Sequence, residues 1–189
     1  MPLRSEKKLM TPTVGQNIKE FSYELVVRDE HEIKNLVSTV LPKQVQINIL
    51  HNSVGTRITG QDTTVEKITA EGFDNIVAIN LRLMLLTSKH LLTHLREACA
   101  DARVNISSLA SIKPFPLAGH KNSRAAVIAL REQLANGYAL SSIRANFIFP
   151  YLINTTMAVE GRVGPGKPRN EIIAERDRLV PLSKNIGSA

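Results

Sequence analysis

Val45-Gln46-Ile47-Asn48-Ile49-Leu50-His51-Asn52-Ser53-Val54-Gly55 is the stretch on which the fold turns. Val45, Ile47, Ile49 and Leu50 make Val45 to His51 a strand candidate, and Asn52, Ser53 and Gly55 break it. Thr63 to Ile68 then reads as a helical turn. A long helix follows from Ala70 to Ala100. Its apolar residues, including Phe73, Ile76, Val77, Ile79, Leu83, Leu86, Leu91, Leu92 and Leu95, lie on more than one stripe, as in a helix with neighbours on two sides. Ala102 to Ile106 is a second buried strand. Beyond a loop with Pro114, Pro116 and Gly119, Ser123 to Asn136 is a helix ended by Gly137, and Ser142 to Phe149 is a strand closed by Pro150.

Upstream, Glu24 to Val27 is β-prone. Glu30 to Leu41 carries Ile33, Leu36, Val37, Val40 and Leu41 at the spacing of one buried helical stripe. Asp29 can cap that helix and Pro42 stops it. The tail, 158–189, holds Gly161, Gly164, Pro165, Gly166 and Pro168, then a short helix from Asn170 to Arg178. Strands alternating with helices at this spacing predict an α/β fold with a parallel sheet. Residues 1–22 read as irregular, and 23–189 as a single domain.

The bulk numbers agree. The chain has 189 residues, 43% of them hydrophobic, enough for one core. Aromatics are 4% and tryptophan is absent, so that core is aliphatic. The single cysteine, Cys99, has no internal partner, which suits a reducing, cytoplasmic setting. No long apolar run predicts a membrane span, and Met1 to Lys8 does not read as a secretory signal. The net charge of +7 keeps a nucleic-acid binder as a minor option. Aromatic residues do not interleave with the basic ones, so a stacking platform for single strands is unsupported. Salt-dependent retention on DNA would revive that option. His90 and His94 have a zinc-compatible spacing but no third ligand, and no metal site is expected.

Five segments carry a more specific pattern. Asn48 to Gly55 is similar to a strand followed by an Asn-Asn-Ala-Gly turn, with Ser53 and Val54 replacing the second Asn and the Ala. Phe73-Asp74-Asn75-Ile76-Val77-Ala78-Ile79-Asn80-Leu81 resembles a central helix bearing an asparagine. Val104-Asn105-Ile106-Ser107-Ser108 resembles a strand delivering a serine, and His120-Lys121-Asn122-Ser123-Arg124-Ala125-Ala126-Val127 follows at the right distance. Ile143 to Thr155 resembles the next strand and its Pro-Gly turn. In this order, over roughly residues 24–189, the segments resemble the short-chain dehydrogenase/reductase family.

The resemblance implies an NAD- or NADP-dependent oxidoreductase acting on an alcohol or ketone. It implies a catalytic set of Ser108, His120, Arg124 and Asn80. Ser108 would bond the reacting oxygen. Asn80 would distort its helix and hold a relay water. Asn52 and Gly55 would brace the cofactor side of the sheet, glycine permitting a conformation that bulkier residues resist. Ile153 and Thr155 match positions touching the carboxamide. The helices 70–100 and 123–136 match those that build the family's dimer, so a homo-oligomer is expected.

The departures are specific. No glycine-rich phosphate turn precedes Glu24; Thr11 to Ile18 retains Gly15 alone. Val26 aligns with the family's adenine-side Asp. His120 and Arg124 replace the catalytic Tyr and Lys, and Tyr151 replaces the glycine after Pro150. Arg124 disfavours protonated His120 and cannot relay a proton. The expected fold is therefore an incomplete Rossmann-like, doubly wound parallel sheet lacking the usual first and last strands, with Glu24–Val27 as the family's third. The expected activity is impaired or lost, and neither NADH nor NADPH should bind below millimolar concentration. The alternative is a non-catalytic relic acting as a dimerisation or interaction module.

Overall fold

The structure is a computed structural model that describes residues 23, 25–43, 47–58, 60–97, 102–150, 153–155, 159, 163, 167–179 and 187–188. Its frame is a parallel sheet of three strands, β1 (Ile49–Asn52), β2 (Ala102–Ile106) and β3 (Arg144–Ile148), in the order β1-β2-β3. Ile49 pairs with Ala102 and Asn52 with Asn105; Ala102 in turn pairs with Arg144 and Ile106 with Ile148. Parallel neighbours need long crossovers, and helices supply both.

The first helix, α1 (Glu30–Val40), starts as its sequence predicts: Asp29 accepts a hydrogen bond from the His31 N–H at 2.8 Å. Its α-helical part ends at Val40, and a 3-10 turn, Leu41–Lys43, carries the chain through Pro42. The crossover from β1 to β2 runs through α2 (Ala70–Val77), a π-helical turn (Ala78–Arg82) and α3 (Leu83–Glu97). Thr69 caps α2, its hydroxyl accepting from the Gly72 N–H at 3.0 Å. The crossover from β2 to β3 is α4 (Ala118–Gly137). Beyond β3, β4 (Ile153–Asn154) pairs in parallel with β5 (Gly187–Ser188), and α5 (Arg169–Asp177) lies between them.

The core is aliphatic. Met84, Val127, Leu130, Leu134 and Ala145 join α3, α4 and β3, while Ile33, Leu83 and Leu86 join α1 to α3. Leu95 and Ile143 pack with Ile47, Leu50, Leu91 and Leu92. The helix Ala70–Glu97 has the length and composition of a membrane span, with a window of mean hydropathy 1.2. Of its apolar residues, Ile76, Ile79, Leu83, Met84, Leu86 and Leu95 are buried, against α1 on one side and α4 and the sheet on the other.

The α/β parallel sheet of the sequence reading is present, with four differences. Leu25 to Val27 is not a strand; the Asp29 N–H bonds the Val26 carbonyl, and Leu25 and Val27 pack on Ile33, Leu83 and Leu86. β1 starts later than expected and takes in Asn52, because that residue is paired across the ladder and its side-chain oxygen accepts from the Thr87 hydroxyl at 3.0 Å. The fourth helix begins at Ala118 rather than Ser123. Strand burial alternates: Leu50, Asn52, Ala145 and Phe147 are covered, whereas Ile49, His51, Arg144, Asn146 and Ile148 are exposed. Among the described residues, helices thus cover one sheet face. The second layer of a doubly wound sheet is not among them, and neither is any of residues 1–22, with Gly15, nor Glu24, Cys99 or Tyr151.

Candidate functional site

The loops leaving the C-terminal ends of the strands meet α4, where open α/β sheets bind their ligands. The pivot is Asn80. It lies in the π-helical turn, an irregularity often found at functional sites, and is completely buried. Its Oδ1 accepts from the Thr56 N–H at 2.7 Å, and its Nδ2 donates to the Thr56 carbonyl at 2.9 Å and to the Ser123 hydroxyl at 3.0 Å. Ser123 donates onward to the His120 carbonyl at 3.1 Å. Both amide hydrogens and the amide oxygen of Asn80 are therefore engaged, which is what a buried side-chain amide requires. The bonds tie the loop after β1 to α4.

His120 is on the first turn of α4 and only 7% exposed. Its Nδ1 is 3.5 Å from the Thr56 carbonyl, and its ring lies 5.6 Å from that of Phe115. Burial, and then the neighbouring Arg124, hold its pKa down at about 4, against a weaker opposing pull from the Thr56 carbonyl. At neutral pH the ring is uncharged. Arg124, one turn on, is equally buried; burial lowers its pKa to about 10, so it keeps its charge at neutrality.

Arg124 explains Gly55. A Cβ at Gly55 would overlap Nη2 and Cζ of the guanidinium. The expectation that Gly55 serves an unusual backbone conformation is corrected: among described glycines only Gly60 has a positive φ, +81°. Gly55 is needed for space.

Ser108 accepts from the Ala110 N–H at 3.2 Å through its hydroxyl, and its carbonyl accepts from Ser111, so it anchors the 3-10 turn Leu109–Ser111. Its neighbour Ser107 is more buried and donates to the Arg124 carbonyl at 2.9 Å. Lys121 secures the same loop, its ammonium donating to the carbonyls of Ala110, Ser111 and Lys113. Asn52 is held by Thr87. Asn80, His120, Arg124 and Gly55 thus form one cluster, to which Ser107 links the loop of Ser108. Ile153 and Thr155 belong to β4 and the turn after it, where the Thr155 N–H bonds the Ile153 carbonyl at 2.9 Å.

Sequence reasoning missed Asp62, Thr56, Ser107 and Ser123. Asp62 is 6% exposed, and its two oxygens accept from the N–H groups of Gly119 and His120. Burial raises its pKa, opposed by those N–H groups and by Arg57. No local signal marks it, because its partners are more than fifty positions away. Thr56 works through its backbone, which no side-chain motif reveals. His90 meets Glu30 at 2.9 Å and His94 lies 3.5 Å from Glu97. Among the described residues no group of three His, Cys, Asp or Glu side chains could hold a metal ion.

Against known proteins, the sequence matches a family described as enoyl-(acyl carrier protein) reductase over residues 4–187. It is 29% identical over 164 residues to 2-(R)-hydroxypropyl-CoM dehydrogenase of Xanthobacter autotrophicus, covering 86% of this chain and 63% of that protein. It is 30% identical over 166 residues to levodione reductase of Leifsonia aquatica, covering 86% of this chain and 61% of that protein. The chain thus spans about three fifths of the length of these relatives. The crystal structure of a levodione reductase superposes with a TM-score of 0.76 at 28% identity, covering 86% of this chain and 62% of its own. The aldohexose dehydrogenase of Thermoplasma acidophilum gives 0.79 at 24% identity, covering 93% of this chain and 70% of its own, a likeness of fold.

Proposed function

Because the chain belongs to the short-chain dehydrogenase/reductase family, we propose that it is an NAD(P)-type alcohol or carbonyl oxidoreductase by descent whose proton-transfer step is impaired. The observation that carries this is His120. It stands where the resemblance puts the proton-transferring tyrosine, and burial together with Arg124 keeps it uncharged. An imidazole with a pKa of about 4 is almost wholly in its neutral form at neutral pH, so the imidazolium that would serve as general acid is scarce and the ring is a weak base. Arg124 can supply fixed charge but cannot pass a proton on.

The described residues do not fit the reactive end of NAD or NADP. A lysine at position 124 would reach ribose hydroxyls, but here the guanidinium is turned onto Gly55 and Arg124 as a whole is buried. The side-chain amide of Asn80 is given to Thr56 and Ser123. What these residues do instead is brace the strand-end loops.

The test is calorimetric titration of the purified chain with NADH and NADPH, followed by turnover assays on simple alcohols and ketones. We expect no binding below millimolar concentration. A micromolar constant would overturn the misfit, and turnover by the wild-type chain would overturn the impairment.

A second reading is a homo-oligomer pairing through the helices Ala70–Glu97 and Ala118–Gly137. What supports it is the resemblance of these helices to the pair that builds the family's dimer, and Leu85, 48% exposed on the first of them, is a position at which to test it. Light scattering on the wild-type chain and on Leu85→Glu tests it: a dimer that dissociates in the variant is expected, and a wild-type monomer would reject it.

A further inference from the structure

Side-chain pattern alone starts the fourth helix at Ser123, yet α4 starts at Ala118. The added turn contains Gly119, a poor helix former, and His120. The first N–H groups of any helix lack partners within it, and Leu117, at the capping position, offers no side-chain bond. The partners come from the loop between β1 and α2. The Thr63 carbonyl accepts from the Ala118 N–H at 2.8 Å, and Asp62 accepts from Gly119 at 2.9 Å and from His120 at 3.0 Å. Three consecutive N–H groups are thus taken by two consecutive residues. Asp62 is 6% exposed, so water does not compete freely for these bonds. Gly119 permits the approach: a Cβ there would lie 3.1 Å from Asp62 Oδ1 and 2.6 Å from Ile76 Cδ1.

We propose that Asp62 is a positioning residue: it fixes where α4 begins and, through the His120 N–H, where the His120 ring stands between Thr56 and Phe115. Without its carboxylate the first turn of α4 frays, and His120 leaves its buried seat. The inference concerns the helix start and holds whether or not the cluster meets a nucleotide.

Amide hydrogen exchange on the full chain, followed by NMR, is the test. In the wild type, the Gly119 and His120 amides should be protected, unlike ordinary first-turn amides. In Asp62→Ala they should exchange roughly tenfold faster or more, the scale of a lost cap. The amides of Leu86 and Leu95 in α3 should keep their protection. The His120 imidazole should then titrate nearer the ordinary 6.5 than its present value of about 4. Asp62→Asn, which keeps one acceptor oxygen, should restore part of both effects. Should Asp62→Ala fail to fold, the wild type and Asp62→Asn decide. Free exchange at Gly119 and His120 in the wild type would overturn the proposal. So would unchanged protection in Asp62→Ala, or a loss spread evenly over α3 and α4.

Discussion

His120 couples the cluster to pH. Its folded pKa is about 4 and its ordinary value 6.5, so as pH falls the unfolded chain takes the proton first. The stability it contributes is complete above about 6.5 and is lost as pH falls through about 4. The loss is on the order of 3 kcal/mol by linkage. Asp62 works in the opposite sense, since its raised pKa makes the folded state the better proton acceptor. The imidazole resonance separates the two: an NMR midpoint near 6.5 for His120 would contradict its burial in a closed cluster. At Gly55 the issue is volume. Gly55→Ala must displace a buried guanidinium and should cost about 1–3 kcal/mol in denaturant unfolding. Combined with Arg124→Ala, most of that cost should vanish, because the clashing atoms are gone.

At the scale of the element, caps and core contacts can be tested separately. Thr69 closes the start of α2 through one hydroxyl bond. Thr69→Ala should lower stability by about 1 kcal/mol, as a denaturant midpoint shift with unchanged slope. Met84 is fully buried where α3, α4 and β3 meet. Met84→Ala should cost about 2–5 kcal/mol. A loss below about 1 kcal/mol would mean that the three elements are not packed as described. The π-helical turn shows how an element serves a residue. An extra residue within the turn lets Asn80 face the Thr56 backbone while Ile79 and Leu83 stay buried.

For the whole molecule, the decisive question is whether the framework or the side chains limit chemistry. His120→Tyr with Arg124→Lys restores the family's residue types at both positions. We expect no turnover from this double variant, because the side-chain amide of Asn80 remains bound to Thr56 and Ser123 and the loops it braces keep their places. Measurable NADPH oxidation with a ketone would show that two side chains alone had silenced a competent site.

Much of this protein was legible in its sequence because it depends on neighbours along the chain. The stripe of Ile33 and Val37, the cap at Asp29, the strand Ala102–Ile106 and the long apolar helix all follow from periodicities and local bonds. So did the antagonism of Arg124 toward a charged His120, since one helical turn separates them. Leu25 to Val27 misled, because a short apolar run packs equally well as a turn against a helix as in a strand. What only the tertiary structure decided rests on partners far apart in sequence. Asp62 sets the start of α4, Asn80 holds the Thr56 backbone, and Gly55 yields its space to Arg124. A hydrogen bond to a distant backbone group leaves no side-chain pattern at either end, and so it becomes visible only once the chain has folded.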